Sequence, residues 1–134
     1  MSYTNNPTSI LAGAGITVTP TTGTGANVIT ISSSGISPLA VRVAVATPVT
    51  VSATTDEVIS IQVPGPVAVT ATLPAGVLGQ VFTIKDGLGL AAPATPISIV
   101  PAGADLIDGA VLATINAPFG SLTMVFDGGQ WILI

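Results

Sequence analysis

The chain has 134 residues, of which 49% are hydrophobic and only 6% are charged, with a formal net charge of −4. About 25% of the residues in an ordinary soluble domain are charged. A nucleic-acid-binding face is excluded because it needs clustered lysine and arginine, and this chain has two such residues against six acidic ones. The absence of histidine and cysteine excludes Ser-His-Asp and Cys-His catalysis, zinc and haem ligation by these residues, and disulfides. We therefore predict a non-enzymatic protein without catalytic residues, metal ligands or cofactors.

The mean hydropathy of +0.84 raises the question of a membrane segment. A spanning helix needs about 20 consecutive apolar residues, whereas proline, glycine, threonine or serine interrupts the apolar stretches of this chain. The polar N-terminal segment lacks the lysine or arginine with which a signal peptide begins. The sequence predicts a soluble protein with no membrane partner.

The first predicted region, residues 1–38, contains no charged residue and begins with an extended arm of polar and small residues at positions 1–14. Residues 15–19 and 28–32 alternate as strands do and predict a β-hairpin, followed by a flexible Ser/Gly joint at 32–35. The apolar residues of the arm and first strand are too few for a separate core, and we predict that they contact assembly partners: Ile10, Leu11, Ile16 and Val18. The alternative is that the arm folds onto its own β domain.

The second predicted region, residues 39–134, is rich in the β-branched residues that favour strands. Apolar residues recur at every second position in segments that contain Ile59, Val69, Phe82, Ile97 and Met124. Glycine and proline are spread along the region and leave no interval for an amphipathic helix. The pattern predicts an all-β fold, an antiparallel β-sandwich or jelly-roll-like unit without substantial helix.

Several aspartates of this region and Trp131 allow a structural and a functional interpretation. Asp86, Asp108 and Asp127 each precede a glycine, and we expect them to accept hydrogen bonds from nearby backbone N–H groups in turns. A calcium site at Asp105 and Asp108, three positions apart, is the alternative. Trp131 is expected to cover the core beside the last strand, and a sugar-stacking platform is the alternative.

Several motifs occur in a recognisable order in the C-terminal two thirds of the chain. They are LPAG at 73–76, GQVFTIKD at 79–86, ISIVPA at 97–102, DLIDG at 105–109, APFGS at 117–121 and DGGQWI at 127–132. Over residues 45–134 the chain resembles the β module found at the ends of many tailed-bacteriophage virion proteins, including fibres, head spikes and capsid decoration proteins. The segment LAGAGITV at 11–18 is similar to a fibre-type glycine-rich β repeat. The resemblance implies a non-enzymatic and usually trimeric β protein.

The low charge also indicates that much of the surface is covered by copies of the chain or by a larger assembly. Together with the resemblance, it predicts a homotrimeric cement protein on the outer surface of a phage head, made in the host cytoplasm. Its expected partners are other copies of the chain and the major capsid protein, which the N-terminal arm would clamp. No nucleic-acid partner is expected.

The alternative function is a tail-fibre or head-spike module that recognises a glycan of the host surface. A short chain with only five aromatic residues favours the cement hypothesis. A small hydrolase would need a catalytic constellation that the sequence does not contain.

Overall fold

The computed structural model describes residues 38–134 in full and, of the residues before them, the backbone of two strands. The chain divides into two units, Met1–Pro38 and Leu39–Ile134, which are described separately. Every regular element of the described residues is a strand, and these residues contain no helix. The prediction of an all-β fold is confirmed.

The first unit contains an antiparallel strand pair, β1 (Ile16–Pro20) and β2 (Ile29–Ser33). Residue Ile16 lies opposite Ser33 in this pair. Each strand begins and ends one residue later than the sequence predicts. The predicted arm, residues 1–14, lies outside the described residues.

The second unit consists of nine strands in two sheets, here called sheet I and sheet II. Sheet I has the strand order β11-β10-β7-β5-β3, and sheet II has the order β4-β6-β8-β9. The strands are β3 (Val41–Ala44), β4 (Val49–Thr50), β5 (Val58–Ile61), β6 (Val69–Thr72), β7 (Val81–Asp86), β8 (Ile97–Val100), β9 (Ala113–Ile115), β10 (Ser121–Phe126) and β11 (Trp131–Leu133).

Both sheets are mixed, which corrects the expectation of an antiparallel unit. Strands β3, β5 and β7 run parallel in sheet I, and β4, β6 and β8 run parallel in sheet II. Within these two sheets, the antiparallel strand pairs are β8 with β9, β10 with β7 and β10 with β11.

The reason for the parallel pairing is the path of the chain between the sheets. From β3 to β8, successive strands alternate between sheet I and sheet II. The chain therefore re-enters each sheet in the same direction, and a strand of the opposite sheet serves as the crossover that parallel pairing requires. In the second unit, strands that are consecutive in the chain pair with each other in two cases, β8 with β9 and β10 with β11.

The inward side chains of both sheets form one hydrophobic core. Ile59 and Ile84 of sheet I, and Ala71 and Ile99 of sheet II, are fully buried members of the same cluster. The predicted alternation is confirmed for these strands, because the residues expected to face inward are the buried ones.

An aromatic group occupies the sheet I side of this core. Trp131 has 0% exposure, and its ring lies 5.6 Å from that of Phe82 and 5.3 Å from that of Phe126, measured between centroids. The expectation that Trp131 covers the core is confirmed, and its burial removes it as an exposed platform for sugar stacking. Gly76 is required beside this group because a Cβ atom there would overlap the Phe126 ring.

Arg42 connects the edge strands of the two sheets. It lies in β3, and its Nε donates to both carboxylate oxygens of Asp56 at 3.0 Å. Its Nη2 donates to the carbonyl oxygen of Thr50 in β4 at 2.9 Å. The backbone N–H of Ser52 also donates to Asp56, at 2.8 Å. The buried carboxylate is thus satisfied, and one cation joins β3 to β4.

Candidate functional site

The outer face of sheet I is an unusually uncharged surface. Its side chains occupy the positions that alternate with the buried ones, and none of them is buried. They are Val41 and Val43 from β3, Val58 and Ser60 from β5, Val81, Thr83 and Lys85 from β7, Ser121, Thr123 and Val125 from β10, and Ile132 from β11. Lys85 is the charged member of this face, and valine is its commonest residue.

The strand register arranges these residues in rows across the sheet. One row runs Val41–Val58–Thr83–Thr123, the next runs Val43–Ser60–Lys85–Ser121, and a third runs Val81–Val125–Ile132. The hydroxyl groups of Thr83 and Thr123 are 2.9 Å apart and hydrogen-bonded to each other. Because the threonines satisfy each other, the row that contains them presents mainly methyl groups.

The lysine of this face is also engaged within the chain. The Nζ of Lys85 donates a hydrogen bond to the carbonyl oxygen of Phe119. Phe119 has a φ of 56°, and its ring packs where a Cβ atom on Gly89 would lie. Gly89 itself has a φ of 72°, so glycine is favoured there by conformation as well as by space. The contact holds the ammonium group at the end of β7.

A shallow depression of about 350 Å³ opens on the same face. Its lining combines apolar side chains with one carboxylate: Leu39, Glu57, Val58, Gly79, Val81 and Thr83. Leu39 is 67% exposed and Val81 is 45% exposed, so the apolar walls are open to solvent. The depression differs from the rest of the face in carrying a negative charge at its edge.

Hydroxyl-bearing side chains predominate on the outer face of sheet II, which also carries Val100. Thr70, Ser98 and Thr114 form one row across β6, β8 and β9, and Thr50 and Thr72 form part of the next. None of these five hydroxyl groups makes a hydrogen bond to another described residue. This face is therefore open to hydrogen bonding from outside the unit.

The carboxylates lie at strand ends and in loops and do not converge. The described residues contain no group of three or more His, Cys, Asp or Glu that could hold a metal ion. Asp105 accepts a hydrogen bond from the Gly76 N–H at 3.1 Å, whereas Asp108 accepts one from the Leu133 N–H at 3.3 Å. The two aspartates of the calcium alternative thus bind different parts of the backbone.

Asp86 is the most heavily bonded carboxylate of the described residues. It is 2% exposed and accepts hydrogen bonds from the N–H groups of Leu88, Gly89, Ala91 and Phe119 at 2.9–3.2 Å. Burial raises the pKa of Asp86. The backbone N–H bonds, those of Ala91 and Phe119 first among them, lower the pKa by more than burial raises it, so that the pKa lies below its ordinary value. These bonds hold the segment after β7 and the backbone at Phe119 to the end of that strand.

The other two Asp-Gly predictions have different outcomes. Asp127 accepts hydrogen bonds from the N–H groups of Gln130 and Gly129, each at 2.8 Å, which confirms the local turn. These two bonds lower the pKa of Asp127. For Asp108 the expectation of a nearby partner is wrong, because the N–H that it binds belongs to Leu133 at the far end of the chain.

The four residues predicted from the sequence as assembly contacts belong to the first unit. Ile10 and Leu11 lie outside the described residues. Ile16 and Val18 lie in β1, where they stand opposite Ser33 and Ile31. Their prediction as contacts stays a prediction.

The outer face of sheet I was not predicted as a site. A signal for it exists in the sequence, because valine stands at positions 41, 43 and 45 of one short stretch. Val43 and Val45 are 51% and 65% exposed. Alternation shows that these valines share a side of the strand but not which side is covered.

Comparison of the sequence with protein-family models and with curated proteins finds no match. No helix among the described residues is long and apolar enough to cross a membrane.

Proposed function

We propose that this chain is a non-enzymatic structural subunit that assembles through the outer face of sheet I. The observation that carries the proposal is that face itself, whose eleven residues include one charged side chain. Contiguous exposed apolar surface marks interaction sites, and the centres of protein interfaces are depleted in charged residues. Of the acidic side chains, only Glu57 lines the depression on this face, and it stands at the edge.

The finer proposal is a homotrimeric capsid cement protein on the outer surface of a tailed-bacteriophage head, with the major capsid protein as its partner. The resemblance of residues 45–134 to phage virion modules supports it. An acidic subunit is also better placed outside a capsid than beside packaged DNA. For residues 39–134 we propose a β-sandwich, since both sheets contribute to one core.

A second candidate is a fibre or head-spike module that recognises a host glycan. The observation in its favour is the hydroxyl-bearing outer face of sheet II, where Thr70, Ser98 and Thr114 stand in one row. Sugar sites also use exposed aromatic rings. Among the described aromatic side chains Phe119 is exposed, while Phe82, Phe126 and Trp131 are buried.

The test of assembly through sheet I is a charge placed on each outer face. Val43→Glu puts a carboxylate on sheet I, and Thr70→Glu is the matched control on sheet II. Light scattering should give three times the chain mass for the native protein and for the control, and a smaller mass for Val43→Glu. Circular dichroism should show both variants folded. A folded Val43→Glu variant that keeps the native mass would overturn the proposal.

The capsid location has its own test. The cement hypothesis predicts many copies of the chain on the head of the purified particle, whereas the fibre hypothesis predicts few copies at the tail. Deleting residues 1–14 should leave the free oligomer folded and abolish attachment to the particle, because an ordered arm binds through extensive backbone contacts. A truncated protein that decorates particles at native occupancy contradicts the clamp by the arm.

A further inference from the structure

The depression on sheet I combines two features that call for a ligand of mixed character. Three apolar side chains, from Leu39, Val58 and Val81, form its walls, and Glu57 supplies one carboxylate. Its volume of about 350 Å³ falls at the lower end of the range for sites that hold part of a small molecule or a long side chain.

Glu57 is held in place although its side chain is exposed. Its Oε2 accepts a hydrogen bond from the Ala40 N–H at 2.7 Å, and its backbone N–H donates to the Ala40 carbonyl at 3.0 Å. Its carbonyl oxygen accepts from the Thr83 N–H at 2.9 Å. These bonds fix the carboxylate at the edge of the depression and leave its second oxygen without a partner among the described residues.

No cationic side chain of this chain neutralises Glu57. The chain has two such residues, Arg42 and Lys85. Arg42 forms an ion pair with Asp56, with 2.9 Å between Nη2 and Oδ2, and Lys85 donates to the Phe119 carbonyl. A second copy of the chain brings the same two cationic side chains, one ion-paired with Asp56 and one bonded to the Phe119 carbonyl, so a protein richer in lysine and arginine fits Glu57 better.

Resting on the proposed function, in which the chain contacts a second protein as well as copies of itself, we infer that the depression is left open between the copies and receives a lysine or arginine side chain of a different, basic partner protein. The aliphatic stem would lie against Leu39, Val58 and Val81, and the cationic head would meet Glu57. Long cationic side chains bury their stems on apolar surface and keep their heads at a carboxylate or in water. The net charge of −4 would also attract a basic partner.

The experiment uses the full chain and n-butylguanidinium as the probe, with binding followed by NMR shifts of methyl groups. Titration should shift the methyl signals of Leu39, Val58 and Val81. Neutral 1-butanol, which lacks the cation, and guanidinium, which lacks the stem, should each bind more weakly. Added salt should weaken the binding of butylguanidinium and leave the binding of butanol unchanged.

Two variants separate the charge from the stem. Glu57→Gln keeps an acceptor oxygen for the Ala40 N–H. It should weaken the binding of butylguanidinium about two- to fivefold, as expected for the loss of an exposed ion pair. Val81→Thr should reduce the preference for butylguanidinium over guanidinium. Asp108→Asn is the control, because it removes one negative charge beside β11, at the opposite edge of sheet I.

The outcomes distinguish this inference from the proposed function. The inference is overturned if butylguanidinium binds Glu57→Gln as tightly as the native chain, or if it shifts methyl groups elsewhere. Assembly through sheet I would still stand in that case, provided that Val43→Glu lowers the oligomer mass. If Val43→Glu leaves the mass unchanged, the proposed function fails whatever the probe does.

Discussion

The two sheets of residues 39–134 are alike on their inner faces and different on their outer faces. Inside, both contribute isoleucine to one core, for example Ile59 and Ile84 from sheet I and Ile97 and Ile99 from sheet II. Outside, five of the eleven residues on sheet I are valine, whereas sheet II presents four threonines, Ser98 and Val100. Valine and threonine have nearly the same shape. The two outer faces therefore differ in how they interact with water rather than in the space that their side chains fill. The outer face of sheet II is therefore suited to remain hydrated, and the outer face of sheet I is suited to be covered by another protein surface.

The largest expected effect tests the common inner face. Ile59→Ala in sheet I and Ile99→Ala in sheet II each remove a side chain with 0% exposure. Each should lower the free energy of unfolding by about 2–5 kcal/mol, measured by urea denaturation, because a cavity remains. The outward neighbours Ser60→Ala and Ser98→Ala should change it by less than about 0.5 kcal/mol. If only one isoleucine mattered, the two sheets would not share a core.

An intermediate effect tests how the ends of the sheets are held. Asp86 ends β7 of sheet I, and its carboxylate binds the loop toward β8 of sheet II. Asp86→Asn should lower the free energy of unfolding at pH 7 by about 1–3 kcal/mol, because the backbone N–H groups lose a charged acceptor. Asp127→Asn, in an exposed turn, should have a smaller effect.

The same carboxylate gives a direction for the pH dependence. The folded-state pKa of Asp86 lies below the ordinary value of 3.8, so the unfolded chain takes up the proton more readily. The contribution of Asp86 to stability is therefore complete above about pH 4 and is lost as the pH falls through the folded-state pKa. Denaturation at several pH values should show the native chain and Asp86→Asn converging in acid. A constant difference down to pH 2 would contradict this assignment.

The smallest effect on stability, and the most direct test of the comparison, is an exchange of the two outer faces. Val43→Thr with Val125→Thr makes sheet I resemble sheet II, and Thr70→Val with Thr114→Val does the reverse. Each substitution should change the free energy of unfolding by about 0.5 kcal/mol or less. Sedimentation should show weaker association for the first pair and new association for the second. Identical behaviour of the two pairs would mean that the outer faces are not different in function.

Local patterns in the sequence predicted which residues of each strand face inward. Ile59 with Ile61 and Phe82 with Ile84 are buried as expected, because side chains alternate along any strand whatever its neighbours. The turn at Asp127 was predictable for the same reason, since its partners lie two and three residues away. The candidate site was not predictable in this way, because Glu57 and Val81 are brought together only by the pairing of β5 with β7.

The sequence by itself therefore determined the all-β character, the inward residues of most strands and the shortage of charge. Only the tertiary structure decided the direction of the strands and the difference between the outer faces of sheet I and sheet II. It also decided the distant hydrogen-bond partners of Asp86 and Asp108. The physical reason is range. Alternation and turn chemistry act over a few residues, whereas strand direction depends on which sheet the chain enters next, and this is set by packing between segments far apart in sequence.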